Sequence, residues 1–208
     1  MPLADASIER GQELFELNVW AVLRVTQAFL PLLMKSTHGM IVNNTSVGSV
    51  VSTPLLGLYN ASKAAVASMT AALRLELQPF GIKVIEMKTG AVKSRFFHNQ
   101  KLSSGDTASS GTKLPTNTIY APARADIEAI LDGAAIEPLM IESDVWAKTV
   151  VGDLLKTSPP PVVWRGGNAT MVRISAFAPQ WMLDRLLKGV GGMDVVEKRL
   201  KEQKQKNM

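Results

Sequence analysis

Two short apolar runs, residues 40–45 and 82–87, stand either side of an alanine-rich stretch long enough for a full-length helix. The first follows Gly39 and is rich in β-branched residues, which reads as a buried strand. The stretch over residues 58–77 carries Ala61, Ala64, Ala65, Ala67, Ala71 and Ala72 and closes at Pro79-Phe80-Gly81. Its small side chains allow another helix, a sheet or a second subunit to come close. Strand, helix, strand at this spacing is a βαβ unit, and such a crossover imposes a right-handed parallel sheet. Upstream, apolar residues at Leu14, Leu17, Val22, Val25, Phe29 and Leu33 predict a long helix to about Met34, with Ser7 as N-cap, residues 2–7 as loop and Pro31 as a kink or stop. Downstream, residues 126–131 and 143–155 read as helices, Ser158 to Pro161 as a breaker, residues 161–164 as a last strand and 165–169 as a turn. The class this predicts is α/β, with three parallel strands in part of a doubly wound sheet.

Composition narrows the function classes. At 208 residues and 46% apolar, the chain can bury a core within one domain. It has no cysteine, so disulfides and thiolate metal sites are excluded. Its two histidines, His38 and His98, fall in polar loop-like stretches, and no metal site is predicted. The net charge of +5 is not interleaved with aromatic residues, so no nucleic-acid partner is expected. No run of 18 or more apolar residues offers a membrane span, and the first residues lack the pattern of a signal peptide, so a cytoplasmic place is expected.

Residues 46–63 carry the chemistry. Ser46 is followed thirteen positions on by Tyr59, and Lys63 lies four beyond that. On a helix, the i, i+4 spacing puts the phenol and the ammonium on one face. A neighbouring cation favours the phenolate and is expected to bring the phenol below its ordinary value of about 10. Such a tyrosine serves as a general acid or base, and a serine hydroxyl at a strand end can hold the same substrate oxygen. Asn18 interrupts the apolar pattern of the first helix, where an asparagine either faces solvent, bonds backbone or finds a buried partner.

The serine, the spacing and the string YNASKAAV after a buried strand resemble the short-chain dehydrogenase/reductase family, with its Ser and Tyr-x-x-x-Lys signature. The resemblance implies a Rossmann-type fold, an NADP(H) cofactor and a small-molecule carbonyl substrate. It implies Tyr59 as general acid, Lys63 as its activator and a cofactor ligand, Ser46 as orienter of the substrate oxygen, and Asn18 as holder of a relay water leading to Lys63. The segment Thr89-Gly90-Ala91-Val92-Lys93-Ser94 resembles the family's Pro-Gly-x-Val-x-Thr loop, with Thr89 in place of the proline and Ser94 in place of the threonine. Gly90, Val92 and Ser94 are thereby cofactor-binding candidates, together with Tyr59 and Lys63. Residues 95–120, rich in Ser, Thr, Gly and Lys, correspond to a flexible substrate loop.

The family's T-G-x-x-x-G-x-G turn and N-N-A-G string are absent, and Gly189 to Gly192 follows a helix rather than a strand. The chain therefore reads as the C-terminal part of such a reductase over residues 1–176, lacking the N-terminal half of the sheet, with an amphipathic helical tail over 177–208. Weak NADPH binding and an exposed edge at the first strand are expected of such a part. The string PLADASIERGQELFELNVWAVLRVTQAFLPLL, the Thr89-Gly90-x-Val92 variant and WRGGNAT are similar to fungal reductases of 1-acyldihydroxyacetone phosphate, which act in glycerolipid synthesis. That similarity implies an acyl-lipid substrate and a peripheral place at the endoplasmic reticulum or lipid droplet. The tail, with Phe177, Trp181, Met182, Leu183, Leu186 and Leu187 beside Arg185 and Lys188, suits membrane contact, packing on its own domain or a homo-oligomer. A secondary-metabolite ketoreductase, or an inactive interaction module, are the other readings.

Overall fold

A computed structural model describes residues 1–95 and 112–206. Its centre is a three-stranded parallel sheet in the order β1 (Met40–Asn44), β2 (Lys83–Thr89), β3 (Val162–Arg165). Ile41 pairs with Val84 and Asn43 with Glu86, while Glu86 pairs with Val162 and Lys88 with Trp164. The predicted parallel α/β class is the one observed.

Helix α1 (Ile8–Phe15) starts at Ser7, whose hydroxyl accepts from the Arg10 amide at 3.1 Å. The predicted single helix to Met34 is not continuous. A five-residue π turn, Glu16–Trp20, separates α1 from α2 (Ala21–Leu33) and contains Asn18. The extra residue in such a turn rotates the side chains after it, a feature common at functional sites. Pro31 does not stop α2 at its own position: the helix continues to Leu33, although proline gives up the bond to the carbonyl four residues back. Residues predicted as loop before Ser7 include a 3-10 turn, Leu3–Asp5.

Helix α3 (Gly57–Leu77) covers one face of the sheet. Its Leu77 packs with Ile41, Ile82 and Val84, and Leu30 and Leu33 of α2 close over them. Asn43, on the same face, donates to Thr70 of α3 at 3.0 Å. A second core lies under Leu55, where Leu114 meets Ile127 and Leu131 of α4 (Arg124–Leu131) and Val196 of the final helix.

Part of the expected loose insert is ordered. Residues 96–111 lie outside the described residues, but Leu114 and Thr118 are buried. Arg124 holds the carbonyls of Leu114 and Pro115, each at 2.6 Å, and Thr118 donates to Asp5 at 2.6 Å. After α5 (Ser143–Leu154) and β3, the predicted turn at 165–169 passes directly into a helix that the composition did not announce, α6 (Ala169–Ser175). Two more follow, α7 (Gln180–Val190) and α8 (Met193–Lys206).

Candidate active site

The site is assembled where β1 ends. Beyond Asn44 the backbone stays extended through Ser46, which caps a 3-10 turn, Val47–Ser49. The Ser46 hydroxyl accepts from the Gly48 amide at 3.0 Å and hydrogen-bonds the Tyr59 phenol. Tyr59 lies in the first turn of α3 and Lys63 one turn later, as i, i+4 spacing requires. Lys63 Nζ donates to the Asn44 carbonyl at 3.0 Å and stands 5.9 Å from the centre of the Tyr59 ring. Ser46, Tyr59 and Lys63 therefore share one corner of the fold.

Their electrostatics differ from the expectation that Lys63 lowers the Tyr59 value. Burial pushes the Tyr59 phenol up, and the hydrogen bond from Ser46 only partly opposes it. Burial also lowers the Lys63 ammonium. The physical reason is competition: the half-buried site withholds water from either charge, and the lysine's proton is directed to a backbone carbonyl rather than to the phenol oxygen.

Asn18 is joined to the turn that carries Tyr59 through a side chain of α3. Its side-chain nitrogen donates to Ser62 Oγ at 3.0 Å, and that hydroxyl donates to the Tyr59 carbonyl at 2.7 Å. It is thus tied to the backbone of the tyrosine's own turn.

Gly90, Val92 and Ser94 leave the end of β2. The Gly90 amide donates to the Arg165 carbonyl at 2.8 Å. Ala91 forms an antiparallel bridge with Gly167, and Val92 a parallel bridge with Ile141. A Cβ on Gly90 would lie 2.2 Å from the Gly167 carbonyl oxygen, and one on Gly167 1.6 Å from that of Leu139. Both glycines are therefore demanded by close backbone contact. Thr89, standing where the family loop has proline, donates to Asn44 Oδ1 at 2.6 Å and so joins the two strand ends below the site. Ser94 is exposed at the edge of the described segment. Beside Gly90, Asn168 Oδ1 is buried with no hydrogen-bond partner.

Three contributors escaped sequence reasoning. Asn60 is buried, holds the Thr53 carbonyl at 3.1 Å, and presses so close to Gly48 that a Cβ there would meet it at 2.4 Å. Glu86 and Lys88, on the central strand, are 5% and 8% exposed and form an ion pair. Thr45 donates to Glu86 at 2.9 Å, Lys88 donates to Ser49 at 3.0 Å, and Ser49 donates to the Ser46 carbonyl at 2.6 Å. Lys88 Nζ also stands 5.4 Å from the ring centre of Trp164. The one available signal was two charges at alternate positions of a strand otherwise read as buried.

The chain is similar to known proteins over most of its length. A family model described as short chain dehydrogenase matches residues 1–104. A short-chain dehydrogenase/reductase of Pestalotiopsis microspora is 43% identical over 201 residues, covering 97% of this chain and 67% of its own length. The NADPH-dependent 1-acyldihydroxyacetone phosphate reductase of Saccharomyces cerevisiae is 32% identical over 208 residues, covering 99% of this chain and 65% of its own. Among solved structures, a short-chain dehydrogenase from Streptomyces avermitilis superposes over 100% of this chain and 65% of that one, with a TM-score of 0.64 at 24% identity. A short chain dehydrogenase from Burkholderia cenocepacia, solved in complex with NADP, covers 90% of this chain and 65% of that one with a TM-score of 0.65 at 22% identity. The chain spans about two thirds of the length of these relatives.

Proposed function

The chain belongs to the short-chain dehydrogenase family, and from that premise we propose that it serves NADP(H)-dependent reduction of a carbonyl to an alcohol. The observation that carries the proposal is the Ser46–Tyr59 hydrogen bond with Lys63 one helical turn away. In this reading Tyr59 gives its proton to the substrate oxygen, and the Ser46 hydroxyl holds that oxygen in place. A phenol kept protonated by burial suits the acid role in the reducing direction. Asn18 acts from behind, through Ser62 and the Tyr59 carbonyl.

The residues present fit the nicotinamide and ribose end of the cofactor. Lys63 spends one proton on the Asn44 carbonyl and has two left for ribose hydroxyls. The orphaned Asn168 Oδ1 beside Gly90 is an acceptor suited to an amide, and Val92 and Ser94 follow on the same loop. NADPH, when bound, supplies the hydride. The likeness to the yeast enzyme supports 1-acyldihydroxyacetone phosphate, an acyl-lipid, as substrate; a peripheral place at the endoplasmic reticulum or lipid droplet goes with that substrate in this reading. A ketoreductase for another carbonyl is favoured instead by the relative of higher identity, whose name specifies no substrate.

The test follows NADPH oxidation with 1-acyldihydroxyacetone phosphate in wild type and Tyr59→Phe, with NADPH affinity measured on both. Turnover lost at unchanged affinity supports the proposal. Equal turnover in the variant removes Tyr59 from its role, and turnover only with other ketones moves the substrate.

A further inference from the structure

After β3 the chain enters α6 and α7, whose outer faces are left to water among the described residues. Ile174 is 69% exposed, Phe177 89% and Trp181 70%. No residue of α7 is buried. The apolar side chains are contiguous: Ile174 and Phe177 line a furrow with Pro179 and Met182, and Leu186 continues it one turn along α7. A contiguous apolar patch of this kind marks an interaction surface rather than scattered surface hydrophobes.

The charge around it says which kind: the segment 169–190 that forms this face carries Arg173, Arg185 and Lys188 against Asp184. Arg173 and Arg185 project from the same two helices, are exposed, and have no acidic partner among the described residues. Aromatic and aliphatic side chains flanked by unpaired arginines on a short helix are the composition of an element lying in a membrane interface. None of the helices described is long and apolar enough to cross a membrane.

We propose that the α6–α7 face docks on a membrane surface containing anionic lipid. Phe177 and Trp181 enter the boundary between headgroups and acyl chains, and Arg173 and Arg185 meet lipid phosphates. Helix α6 packs against the Val47–Ser49 turn that Ser46 caps, so docking through the outer face of α6 leaves the site one helix away from the lipid surface from which an acyl-lipid would come. The proposal rests on the acyl-lipid reading above for its purpose, but not for its test. Vesicle binding needs neither NADPH nor substrate, so either can fail without the other.

The experiment is flotation of the 208-residue chain with phosphatidylcholine vesicles, with and without phosphatidylserine. Wild type floats with the anionic vesicles. Phe177→Ser/Trp181→Ser stays behind, and Arg173→Gln/Arg185→Gln binds roughly 30-fold more weakly at low salt, about fivefold per cation. Melting curves check that the variants remain folded. Independently of those variants, brominated lipid quenches tryptophan emission in wild type, and Trp181→Phe floats but loses the quenched component. Three results overturn the proposal: wild type that ignores anionic vesicles, flotation unchanged without Phe177 and Trp181, or a soluble dimer that Trp181→Ser dissolves, which would make the occupant a second copy.

Discussion

Lys88→Met tests whether the buried pair on β2 holds the site. Lys88 is 8% exposed and shares its charge with Glu86, which is 5% exposed, while Ser49 and the Trp164 ring complete the lysine's surroundings. Methionine keeps much of the volume and removes the ammonium. Glu86 then retains one donor, Thr45, on a carboxylate cut off from water. Breaking one partner out of a buried ion pair costs about 3–5 kcal/mol. For a domain of this size that is roughly 6–20 °C in melting temperature. The measurement is urea unfolding followed by far-ultraviolet circular dichroism, with an unchanged slope showing that the midpoint shift reflects stability. Adding Glu86→Gln recovers most of the loss at neutral pH, since a neutral pair replaces an orphaned charge. A single variant within about 1 kcal/mol of wild type, or a double variant no more stable than the single one, would refute the reasoning.

Other outcomes follow from the same geometry. Tyr59 is held above the ordinary tyrosine value by burial, so the folded chain binds more protons there than the unfolded one. Its contribution to stability is present below pH 10 and lost as pH rises through its folded value; ultraviolet titration loses that late component in Tyr59→Phe. Asp153 is held below 3.8, chiefly by its hydrogen bond with Lys156 and with help from Arg165 against burial. Its contribution is present above 3.8 and lost as pH falls through the folded value, so Asp153→Asn is destabilised by about 1–3 kcal/mol at neutral pH and shows a flatter acid limb in melting experiments. Gly167→Ala drives a Cβ into the Leu139 carbonyl and is expected to cost about 3 kcal/mol or more, read as a lowered urea midpoint.

The sequence by itself determined what depends on neighbours along the chain. Ser7 caps α1 because a hydroxyl three residues before an amide needs no distant help. Tyr59 and Lys63 share a face because helix periodicity alone puts them there. The parallel β1–β2 pairing followed from two buried runs joined by a helix. The limits of this reach appear where a segment's fate is set by remote partners. Residues 112–118 look loose in composition, yet Arg124 and Asp5 pin them. α6 begins directly after an asparagine with φ 58°, whose conformation is imposed by the packing of Gly166 and Gly167 against Gly90 and Leu139. The shift of Tyr59 is likewise a tertiary decision. Spacing brings a cation near the phenol, but burial and the Asn44 carbonyl determine how much of that cation the phenol feels. The Glu86–Lys88 pair shows the same rule on a strand: alternation puts both side chains on one face, and only the packing of β1, β3 and the Ser46 turn around them makes that face dry.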